Sequence, residues 1–159
     1  GYNTNVDKAR SWGAEVSVEW HPQTWWKIQS SYSHLRVKGE YSGDSLGDIQ
    51  VRAFENSAPR HQFSLQNNFS LGNDLNLNVR LRYNSETRHY TLNSTDMTRL
   101  APYTGLDMRL AWQFNRNTEL SVQGRNLLKD RHTEFINIFP VTRAYDIQRS
   151  AMVQAVVRF

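Results

Sequence analysis

Apolar and polar residues alternate one by one over long stretches of this chain, the period-two signature that places successive side chains on opposite faces of a β-strand. Trp12, Ala14, Val16, Val18 and Trp20 alternate with Gly13, Glu15, Ser17 and Glu19. Beyond a turn at 21–25 containing Pro22, Trp26, Ile28, Ser30 and Tyr32 alternate with Lys27, Gln29, Ser31 and Ser33. A third strand sets Phe63, Leu65, Asn67, Phe69 and Leu71 against Ser64, Gln66, Asn68 and Ser70, and Gly72, Asn73 and Asp74 reverse it. The fourth is the cleanest, with Leu75, Leu77, Val79, Leu81 and Tyr83 opposed by Asn76, Asn78, Arg80, Arg82 and Asn84. A further pair follows: Leu106, Met108, Leu110, Trp112 and Phe114 on one strand, then Leu120, Val122 and Gly124 on the next, after a turn at 115–117. Ala151, Val153, Ala155, Val157 and Phe159 form the apolar face of the last strand. No amphipathic helix competes with this pattern.

The expected fold is therefore all-β, an antiparallel up-and-down meander of about seven long strands. Short connections at 21–25, 72–74 and 115–117 alternate with long ones at about 39–58, 88–102 and 130–146. In a meander every short turn then lies at one rim and every long loop at the other, the asymmetry of outer-membrane barrels. With turns centred near 23, 73 and 116, Trp20 is expected opposite Trp26, Glu19 opposite Lys27, Ser64 opposite Arg82 and Asp107 opposite Arg125.

Alternation alone does not say whether the apolar face meets a protein core, as in a soluble sandwich, or lipid. Strand length and aromatic placement favour lipid. The patterned segments approach the ~9–11 residues that cross a tilted bilayer. Trp20, Trp25, Trp26, Phe69, Trp112, Phe114 and Phe159 gather at the short-turn rim, and Trp12, Tyr32, Phe63, Tyr83 and Tyr103 toward the other. Trp12 to Trp20 spans roughly 26 Å of strand, about 20 Å along the normal at a ~40° tilt, close to the ~25 Å apolar band of such barrels. The membrane-interface set is thus Trp12, Trp20, Trp26, Tyr83, Trp112 and Phe114. The other face carries Glu15, Glu19, Lys27, Arg80, Arg82, Asp107, Arg109, Arg125 and Arg158, too many charges for a dry interior. It implies a wet or plugged lumen.

Composition removes alternatives. The 159 residues contain no Cys, which excludes disulfide scaffolds and thiol chemistry. The 19 Lys and Arg against 15 Asp and Glu are dispersed, so no nucleic-acid stripe exists. No apolar run reaches the ~18 residues of a transmembrane helix. The five His, at 21, 34, 61, 89 and 132, lack metal-motif spacing and read as interface or solvated residues, so no metal and no cofactor is expected. A Gly-x-Ser-x-Gly elbow is missing, which leaves an enzyme the weakest reading. Triplets headed by Asn68 and Asn93 match a glycosylation pattern by chance.

Particular stretches are similar to a known family. GAEVSVEW at 13–20, SYSHL at 31–35, PRHQFSL at 59–65, LRYN at 81–84, LDMRLAW at 106–112, ELSVQGRNLLKDRHTEF at 119–135 and the closing RSAMVQAVVRF resemble the C-terminal barrel of TonB-dependent outer-membrane receptors. The most specific parts are the box Gly124, Arg125, Asn126, Leu127, Leu128 and the terminal Phe159, which resembles the signal read by the barrel assembly machinery.

The resemblance implies a barrel of about 22 strands around an N-terminal plug. It also implies TonB as a partner through the N-terminal region, residence in the Gram-negative outer membrane, and external loops that capture a metal chelate such as a ferric siderophore. On this reading residues 1–159 are a single C-terminal barrel segment from which the plug and earlier strands are absent. Arg80, Arg82, Arg109 and Arg125 are candidates for anionic substrate, or else for carboxylates of the plug and neighbouring strands. Phe135, Phe139 and Tyr145, in an unusually apolar loop, are candidates for ligand contact over the mouth or for packing on adjacent loops. A porin or adhesin fragment and a soluble β-sandwich binding module are the alternatives.

Overall fold

The computed structural model describes residues 8–40, 55–90, 97–137 and 143–159. Seven strands form one antiparallel sheet: β1 (Lys8–Gln23), β2 (Trp26–Glu40), β3 (His61–Leu71), β4 (Leu75–Asn84), β7 (Tyr103–Asn115), β8 (Thr118–Arg125) and β11 (Ser150–Val157). They lie side by side in chain order, each bonded to its predecessor in the sheet, so the meander is as expected and the sheet remains open. Four short strands build two separate hairpins within the long connections: β5 (Thr87–Tyr90) with β6 (Met97–Leu100), and β9 (Arg131–Asn137) with β10 (Arg143–Gln148). Two of the expected loops thus contain strands. Each hairpin continues the wall strands past a break at one or a few residues.

Register assembles the side chains into rows, because residues directly opposite in an antiparallel pair share a face. One row on the apolar face runs Val16, Tyr32, Phe63, Tyr83, Thr104, and another Val18, Ser30, Leu65, Leu81, Leu106. Lower rows run Trp26, Phe69, Leu77, Leu110, Val122, Val153 and Leu71, Leu75, Trp112, Leu120, Ala155. Among the described residues nothing covers these rows. Val18 is 57%, Trp20 59% and Val153 81% exposed, and among the described residues only Leu100, Ala111 and Ile136 are buried apolar side chains. Without a second layer, the apolar surface is made for a solvent that is itself apolar.

Polar side chains interrupt the outward rows at Ser30, Thr104 and Asn67. Asn67 Oδ1 accepts a 3.0 Å bond from Trp26 Nε1, so the carbonyl and the indole N–H satisfy each other where water is absent. Trp25, Trp26 and Phe69 stack at the short-turn rim with centroids 5.6–6.3 Å apart, and Trp112 meets Phe114 edge-on at 5.1 Å. Tyr103 departs from the expected upper girdle. It pairs with Asn84 on the polar face and stacks on His132 at 4.3 Å.

Two registers also differ from the symmetric-turn expectation. A bulge between Trp20 and Gln23 shifts the first hairpin, so Trp20 faces Ile28 and Glu19 faces Gln29. Lys27 nevertheless reaches Glu19 diagonally at 2.8 Å. Ser64 does face Arg82. The β7–β8 ladder ends at Met108 and Gly124, so Asp107 is not opposite Arg125; its carboxylate is engaged by Arg82 at 3.3 Å.

Candidate binding site on the polar face

The polar face presents several separate groups of hydrogen-bonded side chains. Glu19 accepts from Lys27 and Gln29, Ser33 donates to Glu15, Gln66 donates to Asn68, and Ser70 donates to Asn76. Asn78 is bonded to the same Asn68 oxygen. Strand alternation alone puts these groups on one side; their mutual bonding follows from the register.

The four candidate arginines separate into two groups. Arg109 donates to Glu119 at 2.6 Å, toward the short-turn rim, and completes a wall ion pair. Arg80, Arg82 and Arg125 instead line one concavity of ≈ 410 Å³ with Asp107, Gln123, Asn126, Glu134 and Ile147. Arg80 sends both Nε and Nη2 to Gln66 Oε1, at 3.0 and 2.6 Å, and is exposed. Arg82 lies across from Gly105, whose missing side chain leaves room for the guanidinium: a Cβ there would stand 3.4 Å from Arg82 Nη2. Arg125 is exposed at the end of β8 and has no ion-pair partner among the described residues.

The Gly-Arg-Asn-Leu-Leu box builds the upper wall of this concavity. A Cβ on Gly124 would stand 2.8 Å from Leu127 Cδ2, so glycine lets Leu127 fold back over the strand. Asn126 takes φ 54°, a left-handed conformation that asparagine tolerates better than most residues. Its amide N–H donates to Asp107 Oδ1 at 3.0 Å and its side-chain Nδ2 to the Ile147 carbonyl at 3.0 Å. Leu127 N–H then reaches the Leu106 carbonyl at 2.9 Å. A single residue thereby ties β7, β8 and β10 together, and it is only 1% exposed.

His132 and Glu134 extend the site upward and were not singled out by the spacing of residues. Their i, i+2 separation on a strand puts both on one face, with Nε2 of His132 2.7 Å from Glu134 Oε1. The His132 side chain is 6% exposed, so it is packed rather than solvated. Among the described residues three buried side-chain atoms lack a hydrogen-bond partner: Arg82 Nε, Asn126 Oδ1 and His132 Nδ1. All three belong to this cluster, and such unpaired groups are rare enough in folded proteins to mark a site.

Of the aromatic candidates, Tyr145 is exposed on β10 and its backbone pairs with Phe135 on β9. Phe139 lies outside the described residues. Phe159 is fully exposed beyond β11, where Arg158 N–H still bonds the Asn117 carbonyl. Among the described residues no cluster of His, Asp and Glu could hold a metal ion.

An open antiparallel sheet with an uncovered apolar face, a charged polar face opposite, and short turns at one rim defines the wall of a transmembrane β-barrel. The family model "TonB dependent receptor-like, beta-barrel" matches residues 1–127, and the chain belongs to that family. Its members reside in the outer membrane of Gram-negative bacteria. No curated protein matches the sequence. Similar solved structures include the ferric-catecholate import receptor Fiu of E. coli K12, with 19% identity and a TM-score of 0.78 over 96% of this chain and 21% of that one. The ferric yersiniabactin uptake receptor FyuA of Yersinia pestis gives 17% and 0.73 over 98% and 24%. The copper transporter OprC gives 16% and 0.68 over 95% and 24%. The chain therefore spans about a fifth to a quarter of the structures it matches.

Proposed function

We propose that residues 1–159 form the C-terminal barrel segment of a receptor that imports a scarce nutrient, best matched by an anionic metal chelate such as a ferric siderophore. The barrel would comprise about 22 strands closed around a plug, with TonB acting through the N-terminal region and Phe159 engaging the barrel assembly machinery. The observation that carries the ligand class is the concavity below the β9–β10 hairpin. It gathers three guanidinium groups, and its two carboxylates are already engaged by Arg82 and His132. Excess positive charge aimed at the lumen suits an anionic guest. Arg125 and Arg80 are the ligand-facing members of the set, whereas Arg82 and Arg109 hold the wall.

A second reading is favoured by the three unpartnered buried atoms: the same cluster receives a polar segment of the plug. Uptake of radiolabelled ferric chelates by cells carrying the full-length receptor separates the two. Arg125→Gln should reduce uptake of anionic chelates and leave the thermal stability of the whole receptor unchanged. Unchanged uptake removes Arg125 from ligand binding, and a loss of stability without selectivity among chelates supports plug docking. Phe135, Phe139 and Tyr145 enter this proposal as mouth residues, tested by truncating the hairpin tip and measuring the same uptake.

A further inference from the structure

Above the upper aromatic rows the alternation on β1 and β2 reverses its chemistry. Within the membrane band the outward positions are Val16, Val18, Tyr32 and Ile28, and the inward ones are polar. Beyond Trp12 the outward positions become Arg10 and Lys8 on β1, and Arg36 and Lys38 on β2, while the inward ones are Ser11, Ala9, Leu35, Val37 and Gly39. Trp12 pairs with Arg36 and Arg10 with Lys38, so the four cations stand in adjacent rows on one face. All four are exposed. The Arg36 guanidinium lies 5.7 Å from the Trp12 ring centroid, which puts its side chain on the Trp12 face. Among the described residues one carboxylate shares the patch, Glu40, bonded to Arg10 at 3.2 Å.

Cations that captured a nutrient would face the lumen. These face away from it, directly above the aromatic rows where hydrocarbon gives way to headgroups. We propose that Arg10, Arg36 and Lys38 form an external site for a phosphorylated lipid headgroup of the outer leaflet. Guanidinium forks suit phosphate oxygens, Lys38 adds a point charge, and Trp12 supplies the adjoining amphipathic ring at the interface. The site rests on the outward assignment of the Trp12 face and is independent of what the lumen binds.

The test uses the full-length receptor in nonionic detergent, titrated with an acylated glucosamine disaccharide in phosphorylated and dephosphorylated form and read by native mass spectrometry. The wild type should retain the phosphorylated lipid preferentially. Arg10→Gln, Arg36→Gln and Lys38→Gln together should weaken that retention about a hundredfold, about fivefold per charge, and higher salt should weaken it further. Arg116→Gln removes one cation at the opposite rim and should leave retention unchanged; excess inorganic phosphate should not displace the lipid. Equal retention of both lipid forms, a triple variant equal to wild type, or a loss with Arg116→Gln as large as the triple's would each overturn the proposal. Displacement by free phosphate would overturn the lipid commitment. Recovery of the receptor in the outer-membrane fraction separates these failures from failure of the outward assignment itself.

Discussion

The seven-strand wall and the two hairpins above it are both antiparallel β-structure, yet they are specified differently. In the wall, β4 pairs with β3 and β7 over ten residues each way without a slip, and every outward position from Leu75 to Tyr83 is apolar or aromatic. In the hairpins, β5–β6 holds four pairs and β9–β10 six with a bulge at Tyr145 and Asp146, and neither shows a two-face code. A strand between hydrocarbon and a wet lumen must sort its side chains at each step, whereas one beyond the bilayer need not. Hairpin placement depends instead on a few junction residues: Asn126 below β9, and Glu86 below β5, which accepts from both Arg88 and Arg99.

The contrast breaks most sharply at the bilayer midplane. Val79→Arg, in the middle of the outward β4 face, should destabilise the folded receptor in lipid vesicles by about 2–4 kcal/mol. Ser17→Arg on the polar face, exposed and opposite Ser31, should change it by no more than about 0.5 kcal/mol, as for other solvated positions. Equal effects in equilibrium unfolding would end the distinction between faces.

Backbone approach gives the next effect. A Cβ on Gly13 would stand 2.3 Å from the His34 carbonyl oxygen, so Gly13→Val should strain the β1–β2 ladder by about 1–3 kcal/mol in the same unfolding assay. At the hairpin junction, Asn126→Ala removes the bond to the Ile147 carbonyl and the residue type suited to φ 54°, which should cost about 1–2 kcal/mol. Hydrogen exchange should accelerate across 131–148 while the wall amides of β4 stay protected.

Acid should loosen the other hairpin, and with the smallest effect. Hydrogen bonding from Arg99 and then Arg88 holds the Glu86 carboxyl below its ordinary 4.5, and burial holds His89 below 6.5. A lowered Glu contributes stability that is present above its unfolded value and lost as pH falls through the folded one. A lowered His likewise loses stability as pH falls below 6.5, because the unfolded chain takes up the proton first. Exchange at β5–β6 should therefore rise between about pH 7 and about pH 3, beyond the intrinsic trend, and Glu86→Gln should flatten the acidic part below about pH 4.5.

Much of the wall was readable in advance because each face is dictated by local alternation. The seven strands, their order, the polar face shared by Arg80, Arg82, Arg109 and Arg125, and the opposition of Ser64 to Arg82 all follow from period two and turn position. The site was only half readable. Arg109 belongs with Glu119, Arg82 with Asp107, and Tyr103 with His132 on the polar face, and none of these partners is near in sequence. His132 and Glu134 carried one faint signal, a shared strand face, while Gly124 to Leu128 announced a junction without its partners.

Sequence by itself determined which side chains meet lipid and which meet water, because that choice is made residue by residue against the surrounding solvent. Tertiary structure decided who pairs with whom. A bulge at the first turn moved the Trp20 register by two positions, and a left-handed Asn126 ended the β7–β8 ladder before Arg125 could reach Asp107. Such local departures redirect every contact beyond them, since cross-strand neighbours are set by the accumulated register rather than by any residue's own preference.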